Sequence, residues 1–93
     1  MISFDDPDPR KAAANRKNHE GVTFEEAKTV FDDAANLTMS DFESDPEEDR
    51  FVMVGMSVRA RVLVVVYTYR GEKVRIISAR KATANEQKEY SEQ

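Results

Sequence analysis

The nine residues Arg61-Val-Leu-Val-Val-Val-Tyr-Thr-Tyr69 constrain this chain more than any others. They are dominated by β-branched and aromatic side chains and are bounded by Gly71. Such a run reads as a central strand, apolar on both faces. Other elements must cover it from either side. Gly71-Glu72 then reads as a tight turn, with Lys73 to Ala79 as the return strand. Phe51 to Met56 reads as the strand before it, and Leu37-Thr38-Met39 as a short first strand.

Helices flank this meander. Asp8-Pro9 is an N-cap followed by proline at the first helical position, opening a short helix through Arg10 to Asn18 that contains Ala12-Ala13-Ala14. Gly21 supplies its stop. Thr23-Phe24-Glu25-Glu26 has the form of a capping box, with Val22 and Ala27 placed for a hydrophobic staple. Phe24, Ala27, Val30, Phe31 and Ala34 fall on one helical stripe. Thr83-Ala84-Asn85-Glu86 is a second capping box, opening a helix toward Tyr90. The expected fold is α+β: two N-terminal helices packed on a four-stranded antiparallel sheet, with a short C-terminal helix. At 93 residues the chain is expected to be one domain spanning 1–93.

Composition enters as exclusion. Without cysteine there is no disulfide framework, thiolate zinc site or thiol nucleophile. No apolar run approaches the ~18 residues of a membrane span. The start, Met1-Ile2-Ser3-Phe4-Asp5-Asp6, is acidic and lacks the apolar core of a secretory signal, so the cytoplasm is the expected compartment. The net charge of −4 argues against a nucleic-acid binder, but it is unevenly spread. Residues 1–49 carry 14 acids and 5 bases, a net of −9. Residues 50–81 carry 8 bases (Arg50, Arg59, Arg61, Arg70, Lys73, Arg75, Arg80, Lys81) against Glu72, a net of +7. Such asymmetry marks either a polyanion-binding face or two halves that neutralise each other in the fold.

The acidic stretch Asp41 to Asp49 reads as an exposed loop. Its Asp41, Glu43 and Asp45 have the first three spacings of a calcium loop, but Pro46 stands where glycine is required and Val52 where the closing glutamate is required. No metal site is expected; a solvated loop, or one that occupies a basic groove, fits better. His19 is the only histidine, near the C-terminal end of the first helix, where the helix dipole favours a cation. Ser57 and Ser78 lie in no nucleophile elbow.

The strand arginines are the informative set, because each guanidinium offers a bidentate fork for phosphate. By strand alternation Arg59, Arg61 and Tyr67 share one side, and Arg75 and Arg80 oppose each other. A two-residue turn at Gly71-Glu72 places Arg80 beside Arg61 and Tyr67, and a three-residue turn selects Arg75 instead. Tyr67 and Tyr69 are placed to stack bases or donate hydrogen bonds.

Several blocks, taken in order, resemble one family. They are Lys11-Ala-Ala-Ala-Asn15, His19, Gly21-Val-Thr-Phe-Glu-Glu-Ala27, Glu48-Asp-Arg-Phe51, Gly55-Met-Ser57, Arg61-Val-Leu-Val-Val-Val66, Arg70-Gly71 and Val74-Arg-Ile-Ile-Ser-Ala-Arg-Lys-Ala-Thr83, closed by Glu86 and Tyr90. Together they resemble the BrnT toxins of bacterial type II toxin–antitoxin systems, the block Arg75 to Thr83 being the most specific. The resemblance implies a RelE/ParE-like ribonuclease that cleaves RNA, inhibits translation and needs no metal or other cofactor. It implies a BrnA-like ribbon-helix-helix antitoxin as partner, with DNA met only indirectly through the antitoxin complex, and no membrane. Pro7-Asp8-Pro9 stands where the family has Trp-Asp-Pro, and Phe42-Glu43-Ser44 where it often has Asp-His-Ser.

Metal-independent RNA cleavage needs cations on the phosphoryl oxygens and groups that take and give protons. The expected charge carriers are Arg61, Arg75 and Arg80, with Arg50, Arg59, Arg70 and Lys81 as further phosphate contacts. Tyr67 and His19 are the acid–base candidates. Arg61→Ala or Arg80→Ala is expected to relieve toxicity while sparing the fold. The alternative is a degenerate toxin that serves only to bind and tune its antitoxin.

Overall fold

The computed structural model describes residues 2–6, 8–18, 21–41 and 49–93. His19 and the segment 42–48, which holds most of the acidic stretch, lie outside the described residues. Asp41 closes a strand and pairs in register with Arg50.

Helix α1 (Pro9–Asn18) starts as the N-cap signal requires, with the Arg10 N–H donating to Asp8 Oδ1 at 2.9 Å. The chain leaves it through Gly21, whose φ of +79° suits glycine and whose N–H reaches the Arg16 carbonyl at 3.0 Å. Helix α2 (Phe24–Thr29) is capped by Thr23 Oγ1, which accepts from the Glu26 N–H at 3.1 Å. The expected second half of that capping box is absent, because the Glu26 carboxylate turns inward to other partners. The stripe is also cut short. At Val30 the backbone tightens, its N–H reaching the Ala27 carbonyl, and a 3-10 turn (Val30–Asp32) ends the helix. Phe24, Ala27 and Val30 are buried, while Ala34 lies exposed in the turn beyond.

Strands β1 (Leu37–Asp41), β2 (Arg50–Met56), β3 (Val62–Arg70) and β4 (Lys73–Lys81) form one antiparallel meander in that order. Helix α3 (Ala84–Ser91) follows, with both halves of its capping box made by Thr83 and Glu86. The fold class is therefore as expected. Successive β3 residues feed two cores. Leu63, Val65 and Tyr67 join Met53, Val74, Ile76 and Ala79 beneath Val22, Phe24, Ala27 and Val30 of the α2 layer. Val64, with Val54 and Ala82, packs on the other side with Val52, Val62 and Tyr90 of α3. Gly55 lets the 3-10 turn lie directly on β2: a Cβ there would come within 2.8 Å of Val30 Cγ1.

The outer edge of β4 is closed twice. Residues 3–5 run parallel to it, the Val74 N–H donating to the Ser3 carbonyl (2.9 Å) and the Asp5 N–H to the Val74 carbonyl (2.8 Å). Farther along, the buried Asn15 amide donates to the Ala79 carbonyl (2.8 Å) and accepts from the Ala79 N–H (2.9 Å), as a neighbouring strand would. Its second donor contact, to the Val22 carbonyl at 2.9 Å, ties α1 to the start of α2.

Candidate nucleic-acid interface

The turn between β3 and β4 has two residues, Gly71 (φ +62°) and Glu72, and pairs Tyr69 with Val74. By simple alternation that register puts Arg80 beside Tyr67. It does not, because the register slips between Val66 and Tyr67: Tyr67 pairs with Ile76 and Val66 with Ser78, leaving Ile77 as an extra residue. Beyond this bulge the parity of β4 is inverted. Arg80 sits opposite Val64 and Arg75 opposite Thr68, both even-numbered β3 positions on the face turned away from α2. Arg75 and Arg80 therefore share a face, contrary to the expectation that they oppose each other, and neither shares one with Tyr67.

The same face gathers Arg50, one residue from the Phe51–Tyr67 pair, together with Arg70 and its partner Lys73. Five cationic residues from three strands thus line one side of the sheet, interspersed with Val66, Thr68 and Ser78. Arg75 and Arg80 lie about 13 Å apart along it, as their partners four residues apart on β3 require. Helix α3 covers the end of this face nearest Val54 and Val64.

The remaining candidates lie elsewhere. Lys81 pairs with Leu63 and so belongs to the opposite face. Arg59 stands in the β2–β3 loop, its side chain 66% exposed. Arg61 precedes β3 and turns toward α2, about 20 Å along the strand from Tyr67 at ~3.3 Å per residue. Tyr67 is buried among aromatic rings, stacked on Phe51 at 5.5 Å and edge-on to Phe31 at 4.9 Å. Burial raises its pKa, with the Tyr69 hydroxyl adding to the shift, so it stays a neutral phenol.

Each of the three arginines expected to carry charge has a carboxylate partner. Arg61 donates through Nε to Glu26 Oε2 at 2.9 Å and through Nη2 to Glu26 Oε1. Glu26 is 5% exposed and also accepts from the Ser57 hydroxyl at 2.6 Å. The Arg61 hydrogen bond, acting against burial, holds Glu26 below the usual carboxylate range. The loop around it is locked: the Ser57 N–H donates to the Arg61 carbonyl, the Val58 N–H to Thr29 Oγ1, and Ala60 takes a φ of +60°. Arg75 reaches Asp5 Oδ2 through Nε (3.0 Å) and Nη2 (2.8 Å). Arg80 grips both Glu86 oxygens, at 2.7 and 2.9 Å.

That grip, above all, pushes Glu86 down to about 2 from 4.5 and raises Arg80 further. A carboxylate with a depressed folded pKa contributes stability above its unfolded pKa and loses it as pH falls through the folded one. We therefore expect α3 to loosen between about pH 4.5 and 2, with Glu86→Gln removing that step. Far-UV circular dichroism of both proteins across this range measures it.

Sequence reasoning missed Glu26, Asp5 and Asn15 as partners. Glu26 and Asn15 carried a signal: each is polar at a position its helix buries, beside Ala27 and three residues after Ala12. Asp5 carried none.

Among the described residues no helix is long and apolar enough to cross a membrane. No curated protein matches the chain. A family model does: residues 8–86 match the ribonuclease toxin BrnT of type II toxin–antitoxin systems.

Proposed function

Because the chain belongs to the BrnT family of type II ribonuclease toxins, we propose that it is an endoribonuclease that cuts RNA at the basic sheet face and so stops translation. The observation that carries this reading is the single face holding Arg50, Arg70, Lys73, Arg75 and Arg80. In the reaction a ribose 2′-oxygen attacks the adjacent phosphorus, the bond to the 5′-oxygen breaks, and the 2′-proton is lost as the leaving oxygen gains one. Arg75 and Arg80 stabilise the phosphoryl oxygens as charge builds, exchanging Asp5 and Glu86 for phosphate. Arg50 and Arg70 hold flanking phosphates, and Arg59 and Lys81 contact RNA from the rim. Positioning and electrostatics carry the rate without a metal ion. Arg61 acts through Glu26 as a structural tie, and Tyr67 orders the aromatic cluster.

A BrnA-like ribbon-helix-helix antitoxin neutralises the toxin in the cytoplasm and carries the complex to operator DNA, where the pair represses its own operon. The test is the purified chain on RNA in the presence of EDTA. Cleavage that a 2′-deoxy substitution at the cut site abolishes, and that the co-expressed neighbouring protein inhibits, is the expected result. No cleavage alongside tight partner binding establishes a second reading, a toxin reduced to holding its antitoxin. The observation favouring that reading is that Arg61, Arg75 and Arg80 each already hold a carboxylate.

A further inference from the structure

We propose that the cleft between the β3–β4 turn and the N-terminal segment is a nucleobase subsite with a preference for guanine, in which Tyr69 is the stacking platform and Glu72 reads the base edge. This rests on the ribonuclease reading and names a part of the substrate.

The cleft has a volume of about 540 Å³ and an apolar floor that includes Ile2, Met53 and Val74. That size falls within the ~300–1,000 Å³ of small-ligand sites. Tyr69 lines it while 54% exposed, an unusual setting for a ring on a sheet whose other aromatic residues are half-buried or buried. Edge-on contacts to Phe51 (5.5 Å, 77°) and Tyr67 (6.0 Å, 80°) fix its orientation from behind. A rigid ring with an open face is what base stacking uses.

The polar lining supplies an edge code. Glu72, at the lip of the turn, forms no hydrogen bond or ion pair among the described residues. A carboxylate accepts two N–H groups. Guanine presents two adjacent donors, N1–H and N2–H, that match Glu72. Uracil offers one ring N–H between two carbonyls. Adenine and cytosine set a ring-nitrogen acceptor against the carboxylate. Arg70 and Lys73 flank the same turn on its other face, where the nucleotide's phosphate would emerge.

The experiment is an NMR titration of the ¹⁵N-labelled full chain with guanosine 3′-monophosphate and, separately, uridine 3′-monophosphate. The expected result is ring-current shifts at Tyr69, Glu72 and Val74, with the guanosine nucleotide binding about tenfold more tightly. Tyr69→Ala, at an exposed position that leaves the core intact, is expected to weaken it about tenfold, as loss of one base stack implies. Glu72→Gln should abolish the preference over uridine. Equal affinities with shifts confined to the basic face, or affinity unchanged in Tyr69→Ala, overturns the subsite. Cleft shifts produced by the antitoxin and never by a nucleotide overturn it too, and make the cleft a protein-docking surface. Tyr69→Ala cleaving every sequence context at the wild-type rate removes the subsite and leaves the ribonuclease reading standing. Guanosine bound in the cleft of a chain that cuts no RNA does the reverse.

Discussion

Replacing Arg61 with alanine is expected to lower stability by about 3 kcal/mol, the cost of leaving a buried carboxylate without its cation. In a domain of this size that corresponds to a fall in melting temperature on the order of 10–20 °C. The reason is geometric. Glu26 takes two of its hydrogen bonds from Arg61, and beyond them, among the described residues, only the Ser57 hydroxyl and a 3.9 Å approach from exposed Arg59 remain. The loss would spread, since the same loop is fastened to α2 through Val58 and Thr29. Glu26→Gln combined with Arg61→Met should recover much of the deficit, because removing both charges abolishes the desolvation cost along with the attraction. Urea unfolding of the single and double variants measures both effects. An Arg61→Ala protein as stable as wild type would mean that the cluster contributes nothing. The expectation from sequence that this substitution spares the fold is thereby replaced: any loss of toxicity in Arg61→Ala has instability as its first explanation.

Arg75→Ala and Arg80→Ala are expected to behave in the opposite way. Each should lower the rate of RNA cleavage by roughly 10²–10³-fold, the usual effect of removing one preorganised contact to a charge-bearing transition state. Neither should move the melting temperature by more than a few degrees, because partly exposed ion pairs typically contribute only about 0–1 kcal/mol. The side chains of Arg75 and Arg80 are 35% and 41% exposed in their pairs with Asp5 and Glu86. Lysine at either position restores charge but not the two-pronged grip, so only partial recovery is expected. Single-turnover cleavage read beside thermal unfolding checks this. Two variants that cut RNA at the wild-type rate would remove the basic face from the reaction.

The elements of this fold are legible because their signals are local. Caps at Asp8, Thr23 and Thr83 open the helices, and the β-branched run with Gly71 defines the central hairpin, though the pattern leaves open whether its turn has two or three residues. The positions of the arginines were not legible, for a reason that is also local. Ile76 and Ile77 are alike in shape and polarity, so nothing in the pattern reveals that one of them is looped out of register. Yet that residue decides which side of the sheet Arg80 occupies. Glu26 illustrates the other limit. Its spacing from Thr23 fits a capping box, while its actual partner lies 35 residues away. Glu86 has the same spacing from Thr83, completes the box, and holds Arg80 as well. Only tertiary contacts distinguish the two.

The double closure of β4 also sets how this sheet can meet others. Residues 3–5 and the Asn15 amide leave no run of open backbone on that side long enough to accept a strand. Among the described residues, β1 is the edge without a neighbour. A sheet with one open border has a valence of one. It can seat a single guest strand or pair with one copy of itself, and then it is full. Head-to-tail growth into a filament needs a second open border, and this fold has already filled that border with its own chain.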